Sequence, residues 1–100
     1  MSQNYTKEEM REMFMGSAKH LALYWSKVEN ESDYEKIMGF LHSMLCIIDG
    51  VSGGFPASID LILRPHPEDK QFNIDNGDNW VEDGMCINDD IMLHEALNNY

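Results

Sequence analysis

The chain has 100 residues, 43% of them apolar and 25% charged, with a formal net charge of −11. That length allows one domain with a modest core, and that balance excludes wholesale disorder. The charge disfavours direct nucleic-acid binding, because phosphates are repelled, and it favours a basic partner or cations, with plain solubility as the simpler explanation.

The first four or five residues are expected to fray. Helix 1 then opens on a capping box, with Thr6 as cap and Glu9 three residues on. Met10, Phe14, Ala18, Leu21, Trp25 and Val28 recur at steps of three and four, which makes one helical stripe. The helix should end near Val28, before the polar Glu29–Asn30–Glu31.

Helix 2 begins with Ser32 as cap and Glu35 as its partner. Tyr34, Ile37, Leu41, Met44, Leu45 and Ile48 form its main stripe, widened by Met38, Phe40 and Ile47, so this helix is expected to be the most buried element. Gly50 stands where a left-handed C-cap is wanted. The short link implies an antiparallel helical hairpin.

After Gly50 the period changes. Residues 51–56 read as a Gly- and Pro-rich loop, and residues 59–63 as a short strand that Pro65 and Pro67 terminate. Phe72 and Ile74, flanking Asn73, suggest a second short strand. Residues 75–79 (DNGDN) are a turn signal, and Trp80–Val81 suggest a third, irregular strand. Asn88 or Asp89 is a candidate cap for a final helix reaching Leu97. The expected fold is therefore α+β: one domain over 1–100, with the hairpin packed on a small sheet of two or three strands and a short C-terminal helix.

Charge is unevenly placed. Residues 1–50 hold eight acidic and five basic residues, and residues 51–100 hold ten and two. Seven carboxylates and no Lys or Arg lie between Asp75 and Glu95. Two cysteines, Cys46 and Cys86, are too few for a disulfide scaffold and read as thiols in a reducing compartment. The polar N-terminus lacks a leader pattern, and no apolar run nears the roughly 20 residues of a membrane span. The expected location is the cytoplasm, with no membrane partner.

Few residues suggest chemistry. Prolines on both sides of His66 stiffen a loop that also holds Glu68, Asp69 and Lys70. His66 and Asp69, joined by His94 and Glu95 of the last helix, are the candidates for an acid–base or two-His, carboxylate metal site. The simpler reading leaves them in water at a strand exit and a helix surface. His42 and Cys46, at i and i+4, share a helical face as zinc ligands would, but they lack a further pair, and His20 is a weaker addition. The 75–79 turn lacks the EF-hand spacing. Ser52 beside Gly53 has no GxSxG context, and neither a P-loop nor a dinucleotide fingerprint occurs. No cofactor is implied.

A helix running into Ile48–Asp49–Gly50, then Pro56, Pro65–His66–Pro67–Glu68–Asp69–Lys70, Gly77–Asp78–Asn79–Trp80 and Leu93–His94–Glu95, resembles small bacterial or phage-type proteins over about residues 41–95. The resemblance implies a bacterial or phage source and no activity or site residue.

Three functions fit these observations. The first is a non-enzymatic interaction module. It would be a homodimer through Met13, Met15, Leu23, Tyr24 or Phe40, or an acidic inhibitor of a basic protein, in the extreme a nucleic-acid mimic. The second is a structural component of a larger assembly. The third is a small metal-dependent or acid–base enzyme using His66, Asp69, His94 and Glu95.

Overall fold

The computed structural model describes residues 2–100; Met1 lies outside them, as does its part in the expected fraying. Ser2–Tyr5 are exposed and carry no regular secondary structure. The chain resolves into two compact units, residues 1–59 with 93–100 and residues 60–92.

In the first unit, α1 spans Lys7–Ser26 and α2 spans Asp33–Ile48. The capping box at Thr6 is complete. The Glu9 N–H donates to Thr6 Oγ1 at 3.1 Å, and the Thr6 N–H to Glu9 Oε1 at 2.9 Å. Ser32 Oγ accepts from the Glu35 N–H at 3.1 Å. Between the helices Asn30 reverses the chain at φ 67°, a left-handed value that Asn tolerates better than most residues. At the other end of α2, Gly50 sits at φ 79°. The Gly50 and Val51 N–H groups bond Ile47 O and Cys46 O at 3.1 Å each, the paired closure of a Schellman motif.

The closest packing between α1 and α2 falls on a small-residue face of α2 and leaves the N-terminal half of its main apolar stripe exposed. Trp25 lies against Gly39, so closely that a Cβ there would stand 2.5 Å from the indole. Its Nε1–H donates to Ser43 Oγ at 3.0 Å. Further back along α1, Phe14 meets Phe55 edge-on at 5.9 Å between centroids, and Ser17 Oγ reaches Gly54 O at 3.5 Å. Trp25 thus meets the middle of α2 while Phe14 meets the loop beyond it, so α2 runs back along α1. The stripe predicted for α1 is the face that packs, and all six of its residues are half-buried. On α2, Tyr34 is 72% exposed, Ile37 65% and Leu41 39%, whereas Met44, Leu45 and Ile48 are half-buried and Ile47, which widens the stripe, is buried. The small Gly39–Ser43 face lets a tryptophan approach the backbone; the larger residues of the stripe would hold it off.

The expected sheet is absent among the described residues, and the α+β assignment is corrected to a helical one. Residues 59–63 pair only through an isolated antiparallel bridge, Ile62 to Cys86. Three backbone bonds surround it, from Leu63 N–H to Met85 O (2.8 Å), Gly84 N–H to Leu63 O (2.8 Å) and Ile87 N–H to Leu61 O (3.0 Å). The ladder goes no further because the Leu61 N–H turns to the Asn88 side chain at 2.9 Å, and Pro65 has no N–H to offer. The predicted strand around Phe72 and Ile74 is a helix, α3, Asp69–Asp75. Two alternating residues are too few to define a period. The helix draws on an acidic first turn, a Gln71 Nε2–H to Asp75 Oδ1 bond across one turn at 2.8 Å, and Gly77 at φ 74° just past its end. Trp80–Val81 form no strand. The C-terminal helix is shorter than expected: α4 is Leu93–Ala96, followed by a 3-10 turn, Leu97–Asn99.

Candidate functional site

The most organised polar cluster lies in the first unit, at the end of α2. Asp49 closes that helix, where a negative charge opposes the helix dipole. It is nonetheless buried, with its side chain 1% exposed. Its carboxylate is satisfied by α4: the Leu93 N–H donates to Oδ1 at 3.0 Å, and the His94 N–H to Oδ2 at 2.8 Å. His94 Nδ1 lies 2.6 Å from Oδ2. An ionised carboxylate only accepts, so Nδ1 carries the proton. Burial alone would push the Asp49 carboxyl up. The hydrogen bonds from His94 and Leu93, with the His94 charge, outweigh that and hold it below the usual carboxylate range.

Around this clamp, the His42 and His94 rings meet edge-on at 5.6 Å, and Cys46 Sγ lies 3.8 Å from His42 Nδ1. Burial first, and the Asp49 charge second, push the Cys46 thiol up. It is therefore a protonated thiol, not an activated nucleophile. Glu95 is exposed, 3.9 Å from His94 Nε2. Chemically, the cluster orients His94 and caps α4.

The second unit differs in kind. Among its described residues, 60–92, none is buried. Phe72 is 65% exposed, and Trp80, Val81, Met85 and Ile87 lie between 44% and 48%. Nine carboxylates accompany two cations. Both cations are taken up internally: Lys70 Nζ bonds Glu82 Oε1 at 2.7 Å, and Arg64 Nη1 bonds Asp83 Oδ2 at 3.3 Å. Lys70 also stands 5.8 Å above the Trp80 ring, whose Nε1–H donates to Glu82 Oε1 at 3.2 Å. The Lys70 bond first, then that of Trp80, lower the Glu82 pKa. His66 lines a small hollow of about 250 Å³ with Pro65, Pro67, Lys70 and Val81. Its Nδ1 accepts the Glu68 N–H at 3.4 Å, and its carbonyl accepts the Asp69 N–H at 3.0 Å, which starts α3.

The four sequence candidates thus divide. His66 and Asp69 belong to the second unit, His94 and Glu95 to the first. Among the described residues no group of three or more His, Cys, Asp and Glu side chains is placed to hold a metal ion. His42 pairs with His94, and His20 lines a separate groove with Ser17, Leu21, Ile47, Ser52 and Gly54. Asp49, the centre of the cluster, was not singled out by sequence reasoning. Its signal was a carboxylate of the wrong sign for a helix C-terminus, on the face of α2 that also carries His42 and Cys46.

No helix among the described residues is long and apolar enough to cross a membrane. No family model, curated protein or solved structure matches the chain.

Proposed function

We propose that this chain is a non-catalytic interaction module whose 60–92 unit docks on a basic protein surface in the cytoplasm. The observation that carries this reading is a unit with no buried residue of its own that still displays Phe72, Trp80, Val81 and Met85. Thirty-three residues without a core lack the apolar burial that offsets chain entropy. A partner supplies it. The chemistry of that partner follows from the charge. Arg64 and Lys70 are already paired, so the unit offers a net −7 from its sequence around exposed aromatic and aliphatic groups. Such a surface suits Lys and Arg interspersed with apolar side chains. A nucleic-acid mimic is the extreme form of the same reading. Free Cys46 and Cys86 suit a reducing compartment.

The test uses two synthetic amphipathic peptides, Lys/Leu and Glu/Leu, titrated against the full chain at about 50 and 300 mM salt. Binding is followed by amide chemical shifts. The cationic peptide is expected to perturb residues 60–92, to bind more weakly at the higher salt, and to lose affinity with Phe72→Ser and Trp80→Ser, which leave the charge unchanged. Equal binding of both peptides, or indifference to the two substitutions, would refute the reading.

A further inference from the structure

We infer that the exposed face of α2 is a self-association seam, on which a second copy of this chain docks. The face is written in the spacing. Tyr34, Ile37, Leu41, Met44 and Ile48 follow one another at steps of three, four, three and four. That is the a/d repeat of two helices packing along their length. Within the first unit the N-terminal half of this seam is left uncovered. Gly39 and Ser43 take Trp25 of α1, and Asp49 takes α4. Tyr34, Ile37 and Leu41 remain 72%, 65% and 39% exposed, and Met44 and Ile48 are half-buried.

Charge selects the occupant. Residues 37–48 contain no Asp, Glu, Lys or Arg, in a chain of net charge −11. A basic partner would find no carboxylate there to pair with. Two identical acidic chains repel each other wherever their charged surfaces meet, and this stretch is where that repulsion is least. Of the flanking heptad positions, Met38, Phe40 and Leu45 are apolar and Ile47 is buried within the unit, so the one charged flank is Asp33, at the N-terminal end of the seam.

Area sets the strength. The exposed parts of Tyr34, Ile37 and Leu41 amount to on the order of 300 Å² per chain. A specific interface needs roughly 1,000 Å² in total, so Met38, Met44, Leu45 and Ile48 must contribute the remainder. An interface at this lower size limit belongs to the weak, transient class, so association is expected with a dissociation constant on the order of micromolar or above.

Sedimentation velocity of the full chain, from about 1 to 200 µM and at about 50 and 500 mM salt, tests this directly. The expected result is a reversible dimer that strengthens with salt, because screening relieves the repulsion. This is the opposite of the salt response of a basic partner on residues 60–92, so the two readings fail separately. Ile37→Glu places a charge on each side of the seam and is expected to weaken association about 100-fold or more. Leu23→Glu, at a 55% exposed position of α1, leaves it unchanged. Circular dichroism on each variant verifies that the helices persist. A chain that stays monomeric to 200 µM at both salts overturns the inference. So does a dimer that Ile37→Glu does not weaken, or one that Leu23→Glu weakens equally.

Discussion

The contact between Trp25 and Gly39 makes one substitution act with opposite signs in the two long helices. Replacing an interior helical glycine by alanine ordinarily stabilises by about 1 kcal/mol, because the unfolded chain loses freedom. Gly16, in α1, has nothing within 4 Å of where a Cβ would stand, so Gly16→Ala is expected to gain that amount. At Gly39 the same methyl would lie 2.5 Å from Trp25 Cη2 and Cζ3 and 2.7 Å from Cζ2. The ring must retreat by about an ångström, which costs about 2 kcal/mol as overpacking, and it then loses the Ser43 bond, worth about 1 kcal/mol. Against the propensity gain, the net is about 2 kcal/mol of destabilisation. Urea unfolding followed by Trp25 fluorescence, in a Trp80→Phe background, measures both variants. If Gly39→Ala proves as stable as the parent, the tight approach of Trp25 to α2 is wrong. If Gly16→Ala fails to stabilise, the propensity half of the argument is wrong.

Three further outcomes follow from the Asp49 clamp and its neighbour. Asp49→Ala strands the Leu93 and His94 N–H groups and the His94 ring, and should cost about 2–4 kcal/mol in urea unfolding at neutral pH. Because the folded Asp49 pKa is lowered, its contribution is complete above the unfolded value, about 3.9, and fades as pH falls through the folded value. Asp49→Asn, which keeps an acceptor but no charge, should therefore lose less stability than the parent between pH 5 and pH 2 in matched urea titrations. In a Cys86→Ser background the raised Cys46 thiol should alkylate several-fold more slowly at pH 8 than in the urea-unfolded chain, and equal rates would contradict its protonated resting state.

Local signals were legible in the sequence where they act within a few residues. Thr6 with Glu9, Ser32 and Gly50 each mark a helix end through bonds spanning three to five positions, and the α1 stripe identifies its packed face. Long-range competition was not legible. The α2 stripe looked like core because it is the most apolar, yet shape decided the packing, and Gly39 and Ser43 admitted Trp25. Phe72 and Ile74 alternate as a strand would, but Gln71–Asp75 and the Asn76–Gly77 exit carry a helix. The strand expected at 59–63 does not form: the segment makes one isolated bridge, and Asn88 captures the Leu61 N–H. For the site, His94 was named without its partner. Nothing near it in the sequence points to a carboxylate 45 positions earlier.

The Asp49 clamp also fixes how the 60–92 segment is attached. Its upstream anchor is the Ile59 N–H on Ile48 O at 2.8 Å, and its downstream anchor is the Leu93 N–H on Asp49 Oδ1 at 3.0 Å. Both ends of the segment are thus fastened to consecutive residues, as an inserted cassette is fastened to its host. Closing such a loop costs an entropy that rises by only about 0.6 kcal/mol for each doubling of its length, whatever its residues. A change in the length of residues 60–92 is therefore expected to cost the helices that carry them little.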